Sequence, residues 1–516
     1  MKQLSPALSM RAVSASFVLT VMLLIFPAAL HATEADGGSA AGTLVFGVEA
    51  EFTGFDPIQA RGAAICDAIV NAAVHETLFR MNEDGQIVPV LALSATPAPD
   101  ETSWRIELRE GVRFHDGTPF DAEAVVRHFS RLLDPANRFS GRAYIEPIRA
   151  VEKVDAQTVR FHLAHPWPPF LAALANTRAM GAHIPSPRAV EAGTQMRAPV
   201  GTGPFMFKQW QSGERLVIVR NPAYRQAGRP RLEAVVFMPI PDDQTRFASL
   251  ESGQTDMIWT DRGHIIAQAA NDPALAHYQG EGSGAEIFVL NTTRPPLDDV
   301  RVRQALAHAW NQDVCVQMSY GGSIPSVCHP FGADVPLGAV GYRSYDPEVA
   351  RALLAEVGRS IHLECLHSNS KRGSEQGQLF QQFGKQVGIG VTPIGLAFGP
   401  VVKKVVSKDY QVSTWRMPPG PDQGPSLYAA FHSRSPRNVT GYRNPQMDEL
   451  LEAQRRETDP ALRQALLAEI ATLINRDVPI LYRGGRRFHV LAASRVKGIG
   501  RIQEGIVPLA EVWVAP

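Results

Sequence analysis

The chain has 516 residues, with 51 Lys plus Arg balanced by 51 Asp plus Glu. That balance excludes a nucleic-acid protein, which needs a basic excess to meet phosphates, and 45% hydrophobic content excludes a disordered chain. A chain this long is expected to form roughly two or three domains, each with its own core.

In chain order, residues 1–32 read as a secretory signal. Lys2 and Arg11 make a positive start, an apolar run extends to Leu30, and Ala32 offers a small residue for cleavage. The uninterrupted apolar part, 21–30, falls short of the roughly 20 residues that a membrane-spanning helix needs. No cysteine stands near the cut, the first being Cys66, so a lipid anchor is not expected. The mature product is expected to be exported, soluble and periplasmic. That compartment permits disulfides, and Cys315 and Cys328, with Gly321 and Gly322 between them, are the expected pair. Free buried cysteines are the alternative, Cys365 completing the set.

Strand and helix signals then alternate, which indicates an α/β protein. Residues 43–49 (TLVFGVE) form a short apolar strand candidate. Trp104, Ile106 and Leu108 alternate with charged neighbours, as do Val159, Phe161 and Leu163, so each strand should bury one face. Asp121 can cap a helix carrying Val125, Val126, Phe129, Leu132 and Leu133 on one face. A helix over 243–252 should stop at Gly253, and Asp298 or Asp299 should open another. Met447, Leu450 and Leu451 start a further helix. Asp459-Pro460 gives an N-cap and an N1 proline for the next, with Leu462, Leu466, Ile470 and Leu473 expected on its buried stripe.

Catalytic motifs are poorly represented. The run Gly201-Thr202-Gly203-Pro204 lacks the spacing of a phosphate cradle and reads as a tight turn before a strand. Neither G-x-S-x-G nor H-E-x-x-H occurs. His362, Glu364, Cys365 and His367 form the densest metal-like cluster. On a strand, however, the first two face one side and the last two the other, which makes one four-ligand site hard to build.

Residues 89–126 read PVLALSATPAPDETSWRIELREGVRFHDGTPFDAEAVV. This stretch closely resembles the signature of family 5 extracellular solute-binding proteins, the periplasmic receptors of peptide, glutathione and nickel ABC importers. Four further blocks resemble the same family in the same order: 200–224, 247–258, 291–310 and 440–451. The resemblance spans nearly all of the mature chain.

The resemblance implies a two-lobed periplasmic-binding-protein fold, class II-like and of cluster C, with an extra subdomain in lobe I. Its expected boundaries are 33–288 for lobe I, about 77–205 for the subdomain, 289–484 for lobe II, and 485–516 for a return to lobe I. Two strands should cross between lobes near 286–291 and 482–487. The implied function is capture of a peptide or peptide-like solute between the lobes and its delivery to an inner-membrane permease and ATPase complex. A monomer is expected, with no cofactor, no catalysis and no nucleic acid. A nickel chelate, an opine, glutathione or a sugar are alternative solutes. An exported metallohydrolase using His362, Cys365 or His367 is the rival from another class.

Peptide-binding relatives often carry an Asp three residues after a tryptophan, where it pairs with the peptide's amino terminus. Here Trp415 is followed by Arg416, Met417 and Pro418, and an Asp comes only at Asp422. Asp422 either takes over that role or caps a turn. Trp415 either stacks on solute or packs in the core. Arg416 is a candidate carboxylate clamp, because its planar fork grips two oxygens. Arg61 and Tyr320 are weaker candidates for the cleft wall.

Overall fold

A computed structural model of the chain describes residues 42–60, 64–178, 180–332 and 335–515. The expected signal segment and Arg61 lie outside the described residues. The spine of the fold is a pair of long antiparallel strands, Leu275–Leu290 and Ile480–Ala493. Each spine strand serves two lobes. One half of the spine pairs with Met257–Thr260, beyond which stand Thr43–Val48, Ala234–Pro239, Arg215–Arg220 and Phe205–Gln211. The other half pairs with Val412–Arg416, followed by Ile361–Ser368 and Ile389–Leu396. The result is one ten-stranded sheet bent across a hinge.

Glycine makes the bend possible. The register slips between Gly282 and Ala285 and again between Glu286 and Ile287, opposite Gly484 and Gly485. Gly484 has φ 156°, and a Cβ there would stand 2.6 Å from Ile324 Cδ1, so a side chain would be strained and would have to push the Ile324 side chain aside.

Each region buries its own apolar set. Leu44, Phe46, Val48, Phe237 and Val490 belong to the core of the first lobe. In the second lobe Phe288 and Leu290 point to one face of the sheet, and Ile287 and Val289 to the other. A four-stranded antiparallel sheet, in the order Ala92–Pro97, Ser103–Leu108, Thr158–Leu163, Ile148–Asp155, builds the subdomain. Ile106, Leu108, Val159, Phe161 and Leu163 point into its core, as their alternation requires. Asp121 accepts from the Ala124 amide at 3.0 Å and opens the helix Ala122–Leu133, whose Val125, Phe129 and Leu132 are buried.

Two expectations are corrected. Leu462 is 58% exposed, because the first turn of Pro460–Asp477 extends beyond the packed surface and burial becomes complete only at Ile470. Cys315 and Cys328 are both free thiols. Cys315 points into the core of the second lobe, whereas the Cys328 sulfur faces the Gly338 carbonyl at 3.0 Å. The 243–252 helix stops at Gly253 as expected: Ser252 is its C-cap and Gly253 holds φ 75°, while Asp242 caps its start by accepting from the Thr245 amide at 2.8 Å.

The Gly201-to-Pro204 run is the tight approach its sequence indicated. A Cβ at Gly201 or Gly203 would collide with the backbone at the end of helix Ile65–Val74. Ile361–Ser368 alternates strictly at His362 and Glu364, which are exposed, against Cys365 and His367, which are buried. The strand therefore keeps these four potential ligands on opposite faces. Among the described residues, no helix is long and apolar enough to cross a membrane.

Candidate functional site: an arginine-lined cleft at the hinge

In both lobes the parallel strands end at the junction, where crevices in open α/β sheets hold their ligands. Thr43–Val48 delivers Glu49 there, Met257–Thr260 delivers Asp261, and Val412–Arg416 delivers Arg416. The hinge strands add Glu286, Arg483 and Arg486. Arg178 comes from the subdomain, and Glu504 from the C-terminal tail.

Arg483 is locked in place. It donates to Glu286 Oε2 at 2.9 Å, to the Trp415 carbonyl at 2.8 Å and to the Ile287 carbonyl at 3.0 Å. Its remaining nitrogen reaches the Tyr320 hydroxyl at 3.3 Å. Gln376 donates to the same hydroxyl at 2.9 Å, and burial pushes Tyr320 up to about 12, so it stays neutral. Arg486 shares Glu286 at 3.7 Å but is itself only 6% exposed. Its Nη1 has no hydrogen-bond partner among the described residues.

The positive groups repel one another. Burial lowers the basicity of Arg178 to about 9, and the nearby Arg486 and Arg416 guanidiniums add to the shift. Burial likewise lowers Arg416, with Arg486 again adding, while Glu286 and Glu49 oppose. Both residues are densely surrounded yet keep some contact with solvent, as the wall of a cleft does.

The acids do not restore the balance. Burial pushes Glu49 above its ordinary value despite Arg246 and the helix amides near it. Glu49 Oε1 accepts from the Ile65 amide at 3.0 Å, at the N-terminus of Ile65–Val74, while Oε2 is buried with no partner among the described residues. Burial also pushes Glu504 up, against the pull of Arg486 and of Ser283. Glu504 holds φ 52°, a left-handed backbone that a non-glycine residue adopts at a cost. Its Oε1 accepts from the Ser283 amide at 2.9 Å and from the Ser283 hydroxyl; Oε2 has no partner among the described residues. The Gly420 amide donates to the same hydroxyl at 2.9 Å, which joins both lobes to the tail.

Glu504 also lines a cavity of about 1570 Å³ together with Asn176, Gln503 and Pro421. None of the four arginines is among the residues lining it.

The residues singled out from sequence separate into three groups. Arg416 lies in the cluster. Trp415 is half-buried, and its carbonyl holds Arg483, while Tyr320 supports Arg483 from the core. Asp422 is already occupied: Arg463 grips both of its oxygens at 2.6 and 2.7 Å, and the Gly424 amide donates to Oδ1 at 2.7 Å. Its carboxylate is thus held by Arg463 and by the first amide of the helix Gly424–Phe431. Sequence reading missed Arg178, Arg483, Arg486, Glu49, Glu286 and Glu504. Tyr482-Arg483-Gly484-Gly485-Arg486-Arg487 carried a signal, three arginines around a glycine pair inside an apolar strand.

A second group of charges ties the lobes together. Arg372, at the start of Lys371–Gln386, grips both oxygens of Asp261. Burial alone would raise Asp261, but Arg372 overcomes it and holds the carboxyl below its ordinary value. Arg262 donates to Asp243 at 2.7 Å and to Glu375 at 3.3 Å, and the Ser323 hydroxyl donates to the Asp261 carbonyl at 3.0 Å.

Residues 86–438 match the family described as bacterial extracellular solute-binding proteins, family 5, middle. The chain belongs to this family. Among relatives of this family 5 protein, glutathione-binding protein GsiB of Pectobacterium atrosepticum is 27% identical over 485 residues, 89% of this chain and 91% of the relative. Glutathione-binding protein GsiB of Escherichia coli (strain K12) is 28% identical over 464 residues, 85% and 88% of the two chains. Helicobacter pylori DppA, an ABC transporter-associated periplasmic binding protein solved with the peptide STSA, aligns with a TM-score of 0.83 at 24% identity, covering 92% of this chain and 98% of its own. NikA of Brucella suis, solved with Fe(III)-EDTA, aligns with a TM-score of 0.79 at 22% identity, covering 92% and 99%. At that identity the two structures establish the two-lobed fold alone.

Proposed function

We propose that this protein is the periplasmic solute-binding component of an ABC importer, a clamp that captures a peptide-like solute at the hinge-side arginine cluster and hands it on unaltered. The observation that supports this reading is the gathering of Arg178, Arg416, Arg483 and Arg486, from the subdomain, the second lobe and the crossing strands, into one group of charges around Glu286 at the lobe junction. Both lobes contribute, so a solute bound there favours the closed form over the open one, and that difference drives closure. The hinge falls at residues 282–286 and 484–486, where the register slips. Lobe I then comprises the chain up to that first crossing together with the tail, and the subdomain inserts between helix Ile65–Val74 and strand Phe205–Gln211.

Glutathione is the named ligand of the relatives matched over most of this chain, and it belongs to the peptide-like class proposed here. Residues 1–32 act as the cleaved export signal, and the closed form docks on a permease and ATPase complex as a monomer. Small-angle scattering with and without candidate solutes tests the reading, paired with mass spectrometry of the recovered solute. Compaction with a 1:1 solute returned intact supports it. Conversion of the solute, with no compaction by any compound, refutes it.

A further inference from the structure

Resting on the solute-clamp reading, we infer that the root of the subdomain is an acid-operated joint: proton uptake by His75, His115, His128 and His183 loosens it, and with it the segment that presents Arg178, so that the clamp gives up its solute in acid. The chain leaves the first lobe at His75, which caps the helix Ile65–Val74, and comes back through residues 201–204 into the strand Phe205–Gln211. Histidines hold both passages. The Gly201 amide donates to His115 Nδ1 at 3.3 Å, and His115 Nε2 donates to the Gly203 carbonyl at 2.9 Å. Between the passages, the Gly203 amide donates to the Val74 carbonyl at 2.9 Å and the Ile184 amide to the Glu76 carbonyl at 3.1 Å. Gln195 Oε1 accepts from the Val200 amide at 3.1 Å, so the Gln195 side-chain nitrogen, 2.7 Å from His75 Nε2, is the donor there.

These bonds fix neutral rings. A carbonyl only accepts, so His115 carries its proton on Nε2, as does His128, which meets the Gly181 carbonyl through Nε2 at 2.9 Å. His75 carries its proton on Nδ1. A second proton on His115 or His75 would face an N–H that already donates to that nitrogen, and the bond would break. On His128 it would go to Nδ1, which is buried with no hydrogen-bond partner among the described residues. His183 is 3% exposed and has no such partner at either ring nitrogen. A charge on either ring is desolvated and unpaired. The nearby acids are already occupied. Glu76, next to His75, takes Arg225 on both oxygens at 2.6 Å and the Tyr224 and Thr202 hydroxyls at 3.0 Å. Asp116, beside His115 and near Arg188, accepts from the Thr118 amide and hydroxyl and from the Ser186 hydroxyl. Asp56, near His128, is gripped by Arg131 at 2.7 and 3.0 Å. The other charged neighbours are the histidines themselves: His183, His115 and His128 disfavour a proton on His75, and His128 disfavours one on His183. Burial lowers all four rings, His128 to about 4 and His183 to about 3. The unfolded chain takes up these protons near the ordinary 6.5, so the joint is fully stable above that pH and weakens as pH falls toward 4. Gly181 and His183 share a short segment with Arg178, which carries the loosening to the cleft.

Glu49 and Glu504 act with the opposite sign, so the test is a difference between the parent and histidine variants. Hydrogen exchange without solute is read at the Gly201 and Gly203 amides and in the peptide that carries Arg178, from pH 7 to pH 4.5, in the parent, in H183F and in H75Q/H183F. Glutamine still offers Gln195 an accepting oxygen, and phenylalanine replaces a ring that makes no hydrogen bond among the described residues. In the parent, protection corrected for intrinsic chemistry should fall about tenfold or more across that range. The double variant should keep about tenfold more protection than the parent at pH 4.5, and H183F part of that gain. Glutathione affinity, measured on the same proteins, should fall toward pH 4.5 more steeply in the parent than in either variant. Equal unfolding temperatures at pH 7 identify a correctly folded variant, and H183F alone decides if the double variant fails this check. Acid sensitivity that is the same in parent and variants, or loosening with no difference in glutathione affinity between them, overturns the inference. Failure of glutathione to bind at pH 7 counts against the choice of solute, and its conversion to a new compound removes the clamp reading, while the exchange result still decides the joint.

Discussion

Asp261 and Arg372 join the lobes as a matched pair, whereas Arg178, Arg416 and Arg486 share the cleft with acids that burial leaves undercharged. Both groups are charged and both lie at the lobe junction, yet burial acts on them in opposite directions. In the pair, the Coulomb attraction of Arg372 outweighs the cost of burying Asp261, and the carboxyl stays ionised. In the other group burial outweighs attraction, lowering the basicity of Arg178 and Arg416 and raising Glu49 and Glu504 above their ordinary values. A matched pair favours the joined arrangement of the lobes, whereas like charges gathered at one place lower one another's basicity.

The strongest way to break this comparison is D261A. Removing one partner of a buried pair costs about 3–5 kcal/mol, because Arg372 is left without its acid. The pair spans the lobes, so the closed form bears that cost and the open form does not. Solute affinity should fall by roughly a hundredfold or more, compaction on adding solute should shrink, and the thermal midpoint without solute should change little. An unchanged affinity would mean that the pair does not discriminate open from closed.

D422N separates scaffold from site. The Arg463 fork and the Gly424 amide lose a charged acceptor, which should cost about 2 kcal/mol of stability. Affinity for the solute and for its N-acetylated form should be unaffected, and calorimetry on both checks this. A selective loss for the free amine would return Asp422 to the cleft.

A smaller effect lies in pH. Glu49 and Glu504 have native values above the ordinary 4.5, so between that pH and their raised values the folded protein holds protons that the unfolded chain has released. Stability from these groups therefore falls as pH rises through that window and is level above it. Affinity for a solute carboxylate follows the same sign, falling as the two carboxyls ionise beside it. E504Q should flatten the affinity profile across that window and tighten binding by up to about tenfold at its high end. A profile as steep as the parent's would show that Glu504 does not face the solute.

What could be read from sequence follows the same divide between local and convergent features. The Asp121 cap, the alternation at Ile106 and Phe161 and the Asp459-Pro460 start are set by neighbours within a few positions, and the structure carries all three. The buried stripe of Pro460–Asp477 was legible at Ile470 and Leu473 but not at Leu462, since periodicity fixes a face and not how far a neighbour covers it. The cleft is convergent. Arg178, Arg416, Arg486 and Glu504 come from four separate parts of the chain, and no spacing rule links them. Asp422 showed the reverse error, an acid near the expected place whose partner, Arg463, lies 41 positions away.

The mildest test concerns the outer contact between subdomain and second lobe. Arg455 donates to Glu146 at 2.6 Å, and Arg437 donates to the Ser140 carbonyl at 2.6 Å. Unlike Asp261, Glu146 is more than a third exposed, and water screens it. Arg455 also keeps other company, stacking over the Tyr428 ring at 4.0 Å and lying 3.7 Å from Glu452. E146Q therefore strands no charge, and solute affinity should change by no more than about twofold at physiological salt. Lowering the salt should widen the gap, because the exposed pair gains most when screening is removed. If E146Q instead matched D261A, the lobes would be held at their rim and not beside the hinge, and the matched pair would lose its place as the element that sets closure.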